Sequence, residues 1–267
     1  MYQTQLHDDE FGQFQRWLHQ AAGIDLSPAK KALVASRLSK RLHHYELDSY
    51  GDYFRLIMSD HHQELQLALD LLTTNETYFF RESKHFDFLC NTVLPLVPKE
   101  RTLRIWSAAS SSGEEPYSLA MTLSEKHGGF NWEIMASDIS SRMLEQARLG
   151  RYPIERAHNI PMSYLMKYCL KGIGQQEGSF IIDRKLQERV RFLQINLIQE
   201  LPDIGMFDVI FIRNVMIYFN KETKAEVVQR LVPRLRTGGY LLVSHAESLN
   251  GLPHGLHLVS PSIYQKR

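Results

Sequence analysis

Apolar residues set the rhythm of this chain, and that rhythm changes near residue 72. Upstream they recur at intervals of three and four, as in Phe11, Phe14 and Leu18, and then Leu33, Val34, Leu38 and Leu42. This spacing puts them on one face of a helix. Leu65, Leu67, Leu69, Leu71 and Leu72 continue into a further helix, and Ser27-Pro28 supplies a start signal, a hydroxyl at the cap with Pro in the first turn. No strand pattern interrupts this stretch, so residues 1–72 read as a small all-α domain. Beyond residue 100, short β-rich apolar runs alternate with helical segments. The runs lie at 103–108, 132–137, 190–197, 207–213 and 240–245. Helices are expected from Pro116, over 139–149 and over 221–235, the last stopped by Gly238-Gly239. Strands alternating with helices predict an α/β fold with a parallel, doubly wound sheet. Residues 256–266 suit an added edge strand. Segments 164–170 and 178–183, grouped around Gly172, Gly174 and Gly178, break the rhythm and predict a small antiparallel insertion at about 163–190.

A chain of 267 residues, 43% hydrophobic, can build a core without metal or disulfide staples. Lys+Arg 31 against Asp+Glu 30 gives a net charge of +1, which argues against a general nucleic-acid binder. Cys90 and Cys169 cannot make a disulfide framework, and no Cys-x-x-Cys is present for zinc or iron–sulfur. The polar start is no signal peptide, and no apolar run is long enough to span a bilayer. A reducing, cytoplasmic setting is expected. The even balance hides a segregated charge. Residues 1–72 hold ten acids and seven Lys/Arg, yet residues 28–44 carry Lys30, Lys31, Arg37, Lys40 and Arg41 with no acid. Lys30, Arg37, Arg41 and His44 share one helical face and Leu38, Leu42 and Tyr45 another. Lys30, Arg37, Lys40 and Arg41 are therefore candidates for docking an acidic partner helix. The histidine pairs His43-His44 and His61-His62 point apart as helix neighbours, and His254 and His257 fall in a terminal loop, so no metal site is expected.

In an open parallel sheet, ligands sit beyond the carboxyl ends of the strands, where the strand order switches. The first run ends in AASSSGEEP at 108–116, whose small residues let a ligand approach the backbone. A dinucleotide fingerprint needs three glycines, and only Gly113 is present, which disfavours a nicotinamide site. Paired carboxylates at 114 and 115 repel a pyrophosphate and suit an ammonium group; Glu114 by itself reads as a complement to the helix dipole. Asp138, at the end of the second run, suits either the hydroxyls of a ribose or a helix N-cap. Together with the first loop it favours an adenosine ligand that carries an amino acid in place of phosphates, a description that S-adenosylmethionine fits. Asn196 follows the third run and Arg213-Asn214 the fourth, where polar residues face the cleft.

The string LLTTNETYFFRE at 71–82 resembles the signature of the chemotaxis receptor methyltransferases, the CheR family. IWSAAS at 105–110, GEEPYS at 113–118, SDI at 137–139 and RNVMIYF at 213–219 are similar in the same order, so the resemblance runs from about residue 10 to the C-terminal end. It implies a class I S-adenosylmethionine-dependent methyltransferase domain over 101–267, a helical N-terminal docking domain over 1–72, and a linker over 73–100 that opens the cofactor site. By the same likeness Asn75, Thr77 and Arg81 belong to the cofactor site, with Arg81 near the transferred methyl. Glu115 is similar to the family's partner for the methionine amine, Asp138 to its ribose ligand, and Asn196 and Leu197 to its adenine-side contacts. The resemblance also implies that Arg213, Asn214 and Tyr218 line the cleft beside the methyl group. The implied reaction turns receptor glutamates into γ-methyl esters for sensory adaptation, with S-adenosylhomocysteine as product, in the bacterial cytoplasm at membrane receptor arrays. Nothing demands more than a monomer.

An ionised carboxylate is already a nucleophile, which agrees with the lack of a His/Asp/Ser arrangement at the sheet edge. The enzyme has to align an oxygen with the S–CH3 bond and exclude water. Arg81, whose planar fork binds both oxygens, is the expected orienting residue. Tyr218 either offers a hydroxyl to the same group or packs beneath the fourth strand. Family members tend to carry a further Arg where this chain has His43, a departure that predicts weaker or pH-sensitive docking. The uninterrupted loop GIGQQEG at 172–178 is similar to that of members that tether themselves to a C-terminal receptor pentapeptide as an added strand. The alternative is an insertion that only covers the cleft. Among rival functions, radical chemistry lacks its cysteine cluster. A nucleic-acid amino-methyltransferase would carry an Asn/Asp-Pro-Pro-aromatic turn where this chain has RNVM at 213–216. A non-catalytic cofactor sensor is the third alternative.

Overall fold

The computed structural model describes residues 4–59, 61–98, 100–126 and 131–267. Helices α1 (Asp8–Ala22), α2 (Lys31–His44), α3 (Tyr50–Met58) and α4 (His62–Leu72) close around the positions that the spacing marks. Phe11, Phe14, Leu18, Val34, Leu38 and Leu42 are buried there with Tyr50, Tyr53, Ile57 and Leu72. A buried ion cluster ties three of these helices together. Arg41 donates to both oxygens of Glu64, at 2.8 and 2.7 Å, and the Tyr53 hydroxyl donates to the same carboxylate at 2.7 Å. Ser27 departs from expectation. Its hydroxyl makes no cap bond, because Pro28–Lys30 forms a 3-10 turn that hands over to α2 at Lys30.

The chain continues through α5 (Lys84–Phe88), β1 (Leu103–Ser107), α6 (Glu114–Lys126), β2 (Trp132–Asp138), α7 (Ser141–Leu149), β3 (Arg151–Pro153), α8 (Met162–Tyr168) and β4 (Cys169–Lys171). Then come β5 (Ser179–Ile182), α9 (Arg184–Gln187), β6 (Val190–Gln194), β7 (Phe207–Phe211), α10 (Lys221–Leu231), β8 (Leu235–Leu242), β9 (His257–Ser260) and β10 (Ile263–Gln265). Seven strands form one sheet in the order β6-β2-β1-β7-β8-β10-β9. It is parallel from β6 to β8, with β10 and β9 antiparallel at one side. Every residue of β7 is buried, and apart from Asp208, whose carboxylate takes Arg101, Arg236 and the Arg104 amide, the strand is apolar. After β1 the chain fills the sheet toward β6 and then crosses to β7. The connections leaving β1 and β7 therefore part in opposite directions and open a crevice.

Three local expectations change. Gly238 and Gly239 lie inside β8 and do not stop α10; that helix ends at Leu231, and Pro233 sits in the following 3-10 turn. Residues 256–266 form a hairpin of two strands, not one. The small antiparallel sheet, ordered β3-β5-β4, takes an edge strand from Arg151–Pro153, upstream of the glycine-marked segment, and most of 164–170 is helical. Three-residue strands are too short to show an alternation.

The helical domain is seated on the sheet domain at two places. Below the end of α1, Gly23 adopts φ 71°, and a Cβ there would lie 2.7 Å from the side chains of Ile198 and Thr223. Beside it, the Asp25 amide donates to the Tyr218 carbonyl at 2.8 Å and Asn196 Nδ2 to the Ala21 carbonyl at 2.7 Å. At the end of α4, Asp70 caps α7 from the other domain, accepting from the Ser141 amide and hydroxyl and from the Arg142 amide.

Candidate active site

A cleft of about 940 Å³, open to solvent at its mouth, lies over the point where β1 and β7 part. All the cofactor and catalytic candidates line it. Asn75, Thr77 and Arg81 come from the segment after α4, and Glu115 from the first turn of α6. Asp138 ends β2, Asn196 and Leu197 follow β6, and Arg213, Asn214 and Tyr218 follow β7. Ala22 and Ile24 close the cleft from the helical domain, a contribution that no sequence signal marks.

Asp138 is held flat by two loops. Its Oδ2 accepts from the Ser111 amide at 2.8 Å and its Oδ1 from the Ser140 amide at 2.9 Å. Each oxygen keeps a further lone pair. The N-cap alternative falls, because the Ser140 hydroxyl takes the Met143 amide and caps α7. Burial pushes the Asp138 carboxyl up, against the opposing amides of Ser140 and Ser111. Glu115 accepts from the Ser107 hydroxyl at 2.7 Å and from Arg213 Nη1 at 2.8 Å; burial raises its pKa too, with Arg213 opposing. Glu114 does not stand free at the helix start. It is wholly buried and takes the Ser112 hydroxyl and Arg156, which also reaches the Thr77 carbonyl.

Arg213, its side chain 1% exposed, clamps two other segments to its own. Besides Glu115 it reaches Glu82 at 3.2 Å and the Arg81 carbonyl. Glu82 closes the 71–82 string, where no local pattern marks it for this contact. Arg81 is half-buried, donates to the Glu76 carbonyl at 2.9 Å and lies 5.4 Å from the centre of the Tyr78 ring. Phe80 and Glu82, on either side of it, adopt φ 56° and 57°, a left-handed backbone that strains non-glycine residues and turns Arg81 toward the cleft. Tyr218 lines the cleft with its ring packed on the apolar cluster beneath β7. Nearby, burial holds the His85 imidazole down to about 3, so it is neutral.

Residues 75–264 match the family model described as the CheR methyltransferase SAM-binding domain, and residues 9–73 match the CheR all-alpha domain. The chain belongs to the CheR methyltransferase family. It is 40% identical to chemotaxis protein methyltransferase 2 of Pseudomonas aeruginosa, over 96% of this chain and 92% of the relative. It is 38% identical to the chemotaxis protein methyltransferases of Escherichia coli and Borreliella burgdorferi, over 97% of this chain and 91% and 94% of theirs. This CheR protein is thus an S-adenosylmethionine-dependent methyltransferase of chemotaxis. Its cleft fits that cofactor. Pinned carboxylates at Glu115 and Asp138 suit an ammonium and a diol, and Ala108, Ile195 and Leu197 offer apolar surface to a base.

The remaining CheR candidates lie outside the cleft. Lys30 and Lys40 are exposed on the α2 side, while the guanidiniums of Arg37 and Arg41 are engaged internally. Arg37 donates to the carbonyls of Leu72 and Thr73, both at 3.0 Å, and so joins α2 to the segment that opens the cleft. Gly172, Gly174 and Gly178 form the turn between β4 and β5, where a Cβ on Gly172 would sit 1.9 Å from the Gln176 carbonyl oxygen. Strand β4 is an outer strand, and Leu170 and Ile173 beside its edge are exposed. Among the described residues no helix is long and apolar enough to cross a membrane.

Proposed function

We propose that this chain transfers the methyl group of S-adenosylmethionine to side-chain carboxylates of glutamates in the cytoplasmic helices of chemoreceptors, forming γ-methyl esters. The observation that carries the reading is the pairing, in one cleft, of two pinned carboxylates with a half-exposed arginine fork, while among the described residues no histidine lines it. The cofactor supplies an electrophilic methyl on a positively charged sulfur. Asp138 accepts from the ribose hydroxyls and Glu115 from the amine, with Asn196 and Leu197 beside the adenine. Asn75 and Thr77 complete that wall, and Asn214 shapes it. Arg81 holds the incoming carboxylate by both oxygens, and Tyr218 offers its hydroxyl to the same group. A carboxylate is ionised at neutral pH, so orientation and exclusion of water are what the residues contribute.

Lys30 and Lys40 present positive charge to the acidic methylation helices of a receptor, and the free edge of β4 beside Gly172, Gly174 and Gly178 suits a receptor C-terminal pentapeptide added as a strand. The protein works as a cytoplasmic monomer recruited to receptor arrays. The test supplies tritiated S-adenosylmethionine with a receptor cytoplasmic fragment. Label released as methanol by base supports a carboxyl ester. Base-stable label, or label on nucleic acid alone, overturns the reading.

A further inference from the structure

We propose that Glu82, His85 and His245 form a binding site for a divalent transition-metal ion of the Zn²⁺ type, beside the Arg213 clamp and separate from the residues that line the cleft. One donor atom from each lies within 4.8 Å of the other two. His85 Nδ1 stands 3.5 Å from Glu82 Oε2, close to the ~3.3 Å edge of a tetrahedron with bonds of about 2.0–2.1 Å to nitrogen and oxygen.

The hydrogen-bond inventory points to a cation between them. The Ser262 hydroxyl donates its one hydrogen to the Pro261 carbonyl at 2.6 Å, so at 2.8 Å it accepts from His85 Nε2–H. In that tautomer Nδ1 carries a bare lone pair. The ring is 1% exposed, and Nδ1 has no hydrogen-bond partner. Arg213 and the His245 amide reach Glu82 Oε2 but not Nδ1, and a buried nitrogen lone pair left without a partner costs free energy that a bound cation would remove. The bond from the opposite ring nitrogen to Ser262 is the outer contact that orients a metal-binding histidine.

The other two ligands are placed to take part. The His245 amide donates to Glu82 Oε2 at 3.2 Å and fixes that carboxylate. The His245 ring is exposed and lies 5.0 Å from the His85 ring, so it can swing in as third ligand and give the ion a path from solvent. Arg213 does not saturate the acid charge here, because its one guanidinium is shared by Glu82 and Glu115. The sequence conceals the site. Glu82 and His85 stand three residues apart, but His245 lies 160 residues beyond His85, and the histidine pairs from which no metal site is expected lie elsewhere.

The test is calorimetric titration of Zn²⁺ into the full chain, with Co²⁺ absorption as a second readout. The expected result is one equivalent bound, an intense tetrahedral-type Co²⁺ spectrum, and affinity at least tenfold weaker in His245→Ala but unchanged in His257→Ala. Failure of the unaltered chain to bind Zn²⁺, or binding that His245→Ala leaves unchanged, overturns the proposal.

Discussion

Lys40 and Arg41 are neighbours of like charge with opposite situations. Lys40 is exposed, whereas Arg41 is bonded to a buried Glu64 that also takes Tyr53. Removing Arg41 strands that carboxylate, so Arg41→Ala should destabilise the fold by about 3–5 kcal/mol in urea unfolding. Lys40→Ala should move stability by no more than about 0.5 kcal/mol and instead raise the KM for receptor fragment, most visibly at low salt. Asp138 makes the matching case in the cleft. Hydrogen bonds to a charged group are worth about 1.5–3 kcal/mol, so Asp138→Asn should cost roughly 10- to 100-fold in cofactor affinity by calorimetry. Burial raises the carboxyls of Asp138 and Glu115, so they take up protons at a higher pH than ordinary carboxyls. Cofactor affinity should therefore fall on acidification before the usual carboxylate range is reached, and Asp138→Asn should remove part of that dependence. Stability has the opposite sign: the raised carboxyls contribute most when protonated, and that contribution is lost as pH rises through their folded values.

Among the elements, those that repeat a pattern over several turns were legible and the shortest were not. The apolar positions of α1 and α2 and the largely apolar run of β7, broken only by Asp208, follow directly from the pattern. Strand β3, with three residues, gave no signal, and the glycines of β8 imitated a helix stop because the two uses of glycine look alike in a string. The 172–178 turn shows glycine used for space. The clash of a Cβ on Gly172 with the Gln176 carbonyl is with backbone, which cannot step aside cheaply. Gly172→Ala should abolish binding of a receptor C-terminal pentapeptide in calorimetry while cofactor affinity stays within twofold. Loss of cofactor binding as well would show that the turn supports the cleft.

At the scale of the whole molecule, the seam between the helical and sheet domains belongs to the site. Ala22 and Ile24 wall the cleft, Arg37 holds the carbonyls of Leu72 and Thr73, and Asp70 caps α7 just beyond Asp138. Loss of a cap costs about 1–2 kcal/mol. Asp70→Ala should lower unfolding stability by about that amount and also weaken cofactor binding several-fold, although Asp70 does not line the cleft. A stability loss with unchanged cofactor affinity would show that the seam and the cleft are independent.

The sequence by itself determined the two classes of architecture, the parallel strand sequence and the cleft residues at strand ends, Glu115, Asp138, Asn196, Arg213 and Asn214, because periodicity and strand ends are local properties of the string. Asn75, Thr77, Arg81, Leu197 and Tyr218 followed from the family resemblance. Tertiary structure decided how each charged group is used. It turned Arg37 and Arg41 inward, made Arg213 a clamp between Glu82 and Glu115, and brought His245 to Glu82 and His85. The physical reason is that the strength of a charge or a lone pair depends on what is buried against it, and those partners lie anywhere from 23 to 163 residues away.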